Sequence, residues 1–272
     1  MNAAAAVLRV GGAAALLLAI MGAPAIIAAP AIMAAPAIMA APAITAAAAG
    51  GQTPSAAPVA ADAGIAPFSA HYLADWKSIN VGTSDLTLER DAEPGHYVYT
   101  WTITARGIFR LYRARVTQKS WLSINADHVR PDKYHAEDGA SSVNLDFDWN
   151  SRRARGTSEN KPVDLALESG TQDVMSIQVE VMLDLKNGTL PKTFRILDND
   201  EVKEFIYTDE GSAKLRTALG ELDTVIVASR REGNNRILRM WFAPSLGFVP
   251  VQAERTRDGK LEFAMRIKTL QR

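Results

Sequence analysis

Apolar and polar residues alternate along most of this chain beyond its first sixty residues. The pattern is clearest in residues 96–105, where Tyr97, Tyr99, Trp101 and Ile103 fall on one face and Thr100, Thr102 and Thr104 on the other. Successive side chains of a strand point to opposite faces, so this spacing predicts a half-buried strand. Val143, Leu145, Phe147 and Trp149 alternate in the same way with Asn144, Asp146, Asp148 and Asn150, and Leu261, Phe263, Met265 and Ile267 with Glu262, Arg266 and Lys268. One dry face and one wet face belong to antiparallel sheet, because strands of a parallel sheet are covered on both sides and read as continuous apolar runs.

Turn-forming residues divide these runs at Glu93-Pro94-Gly95, Arg130-Pro131-Asp132, Asp138-Gly139, Asp198-Asn199-Asp200, Asp209-Glu210-Gly211, Leu219-Gly220, Glu232-Gly233-Asn234-Asn235 and Asp258-Gly259. Runs flanking such residues pair as hairpins. About a dozen strands are expected from Phe68 to Leu270, at the spacing of a sandwich or barrel. One segment departs from the pattern. From Asp173 to Lys186 the apolar residues Val174, Ile177, Val181 and Leu185 recur at three-to-four spacing, which predicts an amphipathic helix. Thr171 or Asp173 can cap its start, and Asn187-Gly188 before Pro191 supplies a left-handed stop. Met175, Val179 and Met182 widen its apolar side, so it should pack into a concave sheet face. The fold class is all-β, mainly antiparallel, with one principal amphipathic helix and a curved sheet.

The alternation begins only after a different kind of sequence. From Val10 to Ala61 there is no charged residue. Arg9 followed by the apolar Val10–Met21 reads as an export signal, with small-x-small cleavage patterns at Ala23-Pro24-Ala25 and at Ala47-Ala48-Ala49. The signal is expected to span residues 1–25, or to extend to about 49 on the second pattern. An Ala/Pro repeat follows, with Pro24, Pro30, Pro36 and Pro42 equally spaced. Such prolines interrupt any helix, whereas a membrane span needs about twenty apolar residues in one run, so residues 26–61 are expected to be a low-complexity spacer. Residues 62–272 form the single β domain. Export to the periplasm as a soluble protein is the expected destination.

The whole chain has 30 basic and 30 acidic residues and no cysteine. Disulfides, thiolate metal sites and a thiol nucleophile are thereby excluded, and charge neutrality argues against nucleic-acid binding. His71, His96, His128 and His135 stand in no metal-ligand spacing, so no metal and no cofactor are expected. There is no G-x-S-x-G elbow, no S-x-x-K and no phosphate-binding glycine loop, so the reading is non-enzymatic and assigns no catalytic residue. Asp146 and Asp148 share one strand face and could serve glycoside chemistry with a distant acid, although a solvated face explains them as well. Asp198-Asn199-Asp200-Glu201 lacks the glycine of a calcium loop and reads as a hairpin turn.

Two sets of residues are candidates for binding. If the sheet curls around the helix, Tyr97, Tyr99, Trp101, Phe147, Trp149, Met240 and Met265 would form an apolar wall able to hold a hydrophobic guest. Ten buried methylenes of an acyl chain are worth about 8 kcal/mol before ordering costs, so such a carrier needs no sequence motif. Arginines interleaved with aromatics in residues 106–115 make Arg106, Arg110 and Arg113 candidates for anion contacts. Two further clusters are Arg152, Arg153 and Arg155, and Arg230, Arg231, Arg236 and Arg239. Any of these can equally be the outer face of a strand paired with acids on its neighbour.

Several pieces in order also resemble one family. They are Phe68-Ser69-Ala70-His71-Tyr72, Asn80-Val81-Gly82, Tyr97-Val98-Tyr99 with the later Gly107, Val129-Arg130-Pro131-Asp132-Lys133-Tyr134, Gln172-Asp173-Val174-Met175-Ser176, Ala218-Leu219-Gly220-Glu221-Leu222-Asp223-Thr224, Met240-Trp241-Phe242-Ala243-Pro244 and Phe248-Val249-Pro250-Val251. Together they resemble the bacterial exported family known as domain of unknown function 3108. The resemblance implies an exported protein without established activity and a fold like the half-open antiparallel barrel of lipoprotein-sorting carriers. It brings no catalytic residues. The leading expectation is a non-catalytic periplasmic protein holding a hydrophobic or acylated ligand in a curved sheet, with a lipid or an envelope protein as partner. The alternatives are an envelope scaffold with a filled core, and a carbohydrate-active hydrolase using Asp146 or Asp148.

Overall fold

The computed structural model describes residues 64–111 and 115–272. The expected signal peptide, the Ala/Pro spacer and Arg113 lie outside the described residues. The strands are β1 (Phe68–Trp76), β2 (Ile79–Arg90), β3 (His96–Ala105), β4 (Arg115–Ile124), β5 (Val129–Glu137), β6 (Ser142–Asp148), β7 (Arg153–Ser158) and β8 (Lys161–Ala166). They continue as β9 (Gln172–Asp173), β10 (Thr193–Asp198), β11 (Glu201–Thr217), β12 (Gly220–Arg231), β13 (Arg236–Ala243), β14 (Val249–Arg257) and β15 (Lys260–Gln271), with a helix α1 (Ser176–Asn187) between β9 and β10.

All fifteen strands form one sheet in the order β8-β7-β6-β5-β4-β3-β2-β1-β15-β14-β13-β12-β11-β10-β9. Hairpin connections produce this order: β1 to β8 meander away in one direction, β15 back to β9 in the other, and the first and last strands pair in the middle. Every neighbouring pair is antiparallel except β9 and β10. The edges β8 and β9 are joined by residues 167–171 alone. That link spans only about 20 Å when fully extended, so the sheet curls until its edges approach one another. Polar contacts hold β9 across the opening. The Gln172 amide donates to the Val129 carbonyl at 2.8 Å, and the Ser120 hydroxyl donates to the buried Asp173 carboxylate at 2.6 Å.

The helix lies inside this trough. Its residues Ile177, Val179, Val181, Met182 and Leu183 are all buried, and Met175 and Val174 just before it are buried too. Burial of each such aliphatic side chain is worth about 1.5–3 kcal/mol, which offsets the cost of ordering one short helix. Of the two expected caps, Asp173 is the one that acts: its carboxylate accepts the Met175 and Ser176 N–H groups, and Ser176 Oγ accepts the Asp173 N–H. These bonds hold residues 173–175 in a turn, so the helix starts at Ser176 rather than at Asp173. Gly188 ends it with a φ of 70°, and the Thr189 N–H reaches back to the Asp184 carbonyl.

Two expected turns are strand instead. Arg130-Pro131-Asp132 lies within β5, where the register with β4 shifts and leaves Pro131 at an irregularity that tolerates its missing N–H. The actual turn is Asn125–His128, with the Asn125 side chain accepting the Asp127 and His128 N–H groups. Asp209-Glu210-Gly211 is a bulge in the 17-residue β11, because β12 pairs with it on both sides of the irregularity. Gly82, within the Asn80-Val81-Gly82 piece, marks a close cross-strand approach. A Cβ there would stand 2.1 Å from the Thr104 carbonyl oxygen.

Candidate functional site: an arginine-rimmed cleft beside the helix

The backbone of α1 runs closest to β4, β5 and β9. The opposite side of the trough is therefore less filled, and a cleft opens there between α1 and β10–β14. It is partly open to solvent, with about 80 Å³ accessible to the centre of a water molecule. Ile177 and Val181 of the helix, with Val174 just before it, face Val227, Leu238 and Met240 across it.

The rim is built from the ends of the same strands. Inward-facing positions on β12, β13 and β14 read Val227-Ser229-Arg231, Arg236-Leu238-Met240 and Val251-Ala253-Arg255, with Val227 opposite Met240, Met240 opposite Ala253 and Leu238 opposite Arg255. Each row is apolar toward the middle of the barrel and ends in arginine toward the β12–β13 turn. Arg230, Arg231, Arg236 and Arg255 all line the cleft, with the exposed Asn234 marking the mouth.

One carboxylate organises this rim. Between Arg255 and Thr256 the pairing of β14 with β15 slips by one residue, leaving Glu262 as the extra residue of a bulge. Its carboxylate lies 3.1 Å from Arg255 Nε, 3.4 Å from Arg236 Nε and 3.2 Å from Arg257 Nε. Arg255 is the most deeply placed, and burial pulls its pKa down from the ordinary value while Glu262 acts in the opposite sense. Arg231 has Glu201 at 3.6 Å. Guanidinium groups thus outnumber carboxylates around the mouth, and the site is electropositive at an apolar opening.

The residues picked out from alternation are divided by the structure. Met240 lines the cleft. The Tyr99 hydroxyl donates to the side chain of Gln178, which lines the cleft as well. Tyr97, Trp101, Phe147 and Met265 are buried core residues outside the cleft lining, Trp101 donating to Ser84 Oγ at 2.7 Å. Trp149 stacks on Phe147 and donates to the Pro131 carbonyl. Arg106 and Arg110 are exposed on the loop after β3, away from the cleft lining.

The other candidates also have defined places. Asp146 sits on an exposed face with Lys133 and Arg155 as cross-strand neighbours. The Asp148 carboxylate accepts the Asn150 and Ser151 N–H groups and the Ser151 hydroxyl, and the hydroxyl bond leads the effects that hold its pKa below the ordinary carboxylate value. It forms the turn between β6 and β7. Asp198 and Glu201 pair at a hairpin in which Asn199 is left-handed. The four histidines lie apart, His71 on Asp85, His135 on Asn144, His128 on Asn125, and His96 near Glu93. Among the described residues no three His, Asp or Glu side chains gather as metal ligands. No helix among them is long and apolar enough to cross a membrane.

Residues 71–266 match the family described as "Protein of unknown function (DUF3108)". The chain belongs to this family. Among solved structures, a β-barrel-like protein of the DUF1849 family from Brucella abortus is 12% identical, with a TM-score of 0.46, and covers 75% of this chain and 96% of its own. An exported-type protein of YmcC-like fold from Bacteroides fragilis is 6% identical, with a TM-score of 0.30 and coverage of 75% and 95%. A lipoprotein-type protein from Parabacteroides distasonis is 8% identical, with a TM-score of 0.31 and coverage of 76% and 96%. None of the curated proteins matches this chain.

Proposed function

We propose that this protein is a non-catalytic carrier or sensor, exported to the periplasm, that holds a single-chain anionic amphiphile, its acyl tail in the cleft beside α1 and its head group on the arginine rim. The observation that supports it is the sequence of surfaces along three adjacent strands, apolar in the middle of the barrel and guanidinium at the mouth. An acyl tail entering past Leu238 toward Met240 and Ile177 would bury methylenes worth about 0.8 kcal/mol each. A carboxylate or phosphate at the mouth would accept charge-assisted hydrogen bonds from Arg231 and Arg236, worth about 1.5–3 kcal/mol apiece. A neutral chain of the same length gains only the first contribution.

Titration of the protein with laurate and with dodecanol tests this reading. Laurate should bind at one site, at least tenfold tighter than dodecanol, and Met240→Trp, which fills the cleft, should abolish uptake while leaving a cooperative thermal transition. Equal affinity for the acid and the alcohol, or undiminished uptake by folded Met240→Trp, would reject it.

A further inference from the structure

The three most exposed large hydrophobic residues in the described chain, Ile79 (57%), Ile108 (65%) and Leu111 (83%), gather at one end of the barrel. Ile79 opens β2 directly after the tight Lys77-Ser78 turn, and Ile108 and Leu111 belong to the short 3-10 turn Gly107–Leu111 after β3. The two loops are fastened together. The Arg106 N–H donates to the Val81 carbonyl at 2.9 Å, the Arg106 guanidinium donates to Asn80 Oδ1 at 3.1 Å, and Trp76 meets Phe109 edge-on at 6.4 Å. Phe109 is turned toward the body and so anchors the turn, while its neighbours Ile108 and Leu111 face outward.

Cations surround these aliphatic side chains. Lys77, Arg106, Arg110 and Arg115 are all exposed, and none of them makes an ion pair among the described residues. Of the acids at this end, Glu137, Asp138 and Glu159 stand at the turns after β5 and β7, Asp75 is on Arg266, and Glu262, Glu201, Glu232 and Asp258 stand around the cleft mouth, Glu262 and Glu201 on its arginines. A convex projection of branched aliphatics ringed by cations differs from the concave, aromatic-rich patches that dominate protein interfaces. It matches the requirements of a membrane interface, where apolar side chains enter the boundary between head groups and acyl chains and cations meet lipid phosphates.

This end is also the end at which the cleft opens. Trp76 pairs with Phe263, and the Lys77 N–H donates to the Glu262 carbonyl at 3.0 Å. The side chain of that same Glu262 holds Arg255 and Arg236 of the cleft rim.

We propose that this end of the barrel docks on the surface of an anionic phospholipid bilayer, with Ile79, Ile108 and Leu111 entering the interface and Lys77, Arg106, Arg110 and Arg115 on the lipid phosphates. The docked orientation turns the cleft mouth toward the lipid. The docking surface stands on its own observations and does not require the cleft to be occupied.

Vesicle co-sedimentation tests it, with phosphatidylcholine alone and with phosphatidylcholine containing about a third phosphatidylglycerol. Each cation near an anionic surface contributes about fivefold to partitioning. The protein should therefore bind the anionic vesicles at least tenfold better than the neutral ones, and higher salt should weaken this preference. Ile108→Asp with Leu111→Asp, and separately Arg106→Glu with Arg110→Glu, should each lower binding to anionic vesicles at least tenfold. Ile108, Leu111 and Arg110 are exposed and Arg106→Glu removes one exposed hydrogen bond to Asn80, so each variant should keep a cooperative thermal transition within a few degrees of the parent, and uptake of soluble laurate should be unchanged, which separates this proposal from the carrier reading. Failure of the unaltered protein to bind anionic vesicles, or full binding by both double variants, would overturn it. Concentration-dependent dimerisation abolished by the same substitutions, without vesicle binding, would assign the surface to a second copy of the chain and overturn it equally.

Discussion

Replacing Glu262 with Gln removes the single carboxylate around which three arginines are arranged. The side chains of Arg255, Arg236 and Arg257 are 4%, 25% and 42% exposed. Breaking a fully buried ion pair by removing one partner costs about 3–5 kcal/mol, because the remaining charge is left desolvated and uncompensated. Of the three, only Arg255 is nearly fully buried. Arg236 and Arg257 keep contact with water, which screens their share, so the low end of about 3 kcal/mol applies. In a body of this size each kcal/mol lowers Tm by about 2–4 °C, giving a fall of about 6–12 °C. Differential scanning calorimetry reads the shift directly. The liberated guanidinium groups should accept a ligand carboxylate in place of Glu262, so laurate should raise the Tm of the variant by more than that of the unaltered protein. A Tm within about 2 °C of the parent would refute the reasoning, since it would mean that Glu262 does not compensate Arg255.

Two further outcomes follow from the core. Gly82→Ala should cost about 3 kcal/mol, seen as a lower urea midpoint, because its Cβ would meet the Thr104 carbonyl oxygen at 2.1 Å and the two strands would have to separate; an unchanged midpoint would show that β2 and β3 are not so closely apposed. Burial raises the pKa of Asp173 to about 6, of Glu180 to about 7 and of Asp184 to about 6, so the folded state holds these protons more tightly than the unfolded chain. Their contribution to stability is present below about pH 4 and is lost as pH rises through about 6–7, so urea denaturation should give lower stability at pH 8 than at pH 5. A higher stability at pH 8 would contradict the buried placement of these carboxyls.

Alternation alone was enough to find most strands and the helix, because each side chain there has one destination, water or core. Tyr97, Tyr99 and Trp101 announced their face correctly but not what they face. The cleft depends on where α1 sits across the trough, and that is decided by Ser120, Val129 and Gln172, residues of β4, β5 and β9 far apart in sequence. Arg130-Pro131-Asp132 and Asp209-Glu210-Gly211 misled for a related reason, since a bulge and a turn use the same residue types and only the neighbouring strand distinguishes them. One signal of the rim was nevertheless present in the sequence. Arg236 and Arg255 each continue an otherwise apolar alternating row, a pattern that an arginine paired on the outer face of a strand would not produce. Glu262 gave no such sign, because its inward direction exists only through the one-residue slip against Thr256.

The most direct measurement is native mass spectrometry of the protein purified from its own cells, followed by extraction and identification of anything that co-purifies. The account predicts one acidic amphiphile per chain, retained under gentle conditions and absent from Met240→Trp. A bare protein mass that also fails to shift on addition of laurate would contradict it.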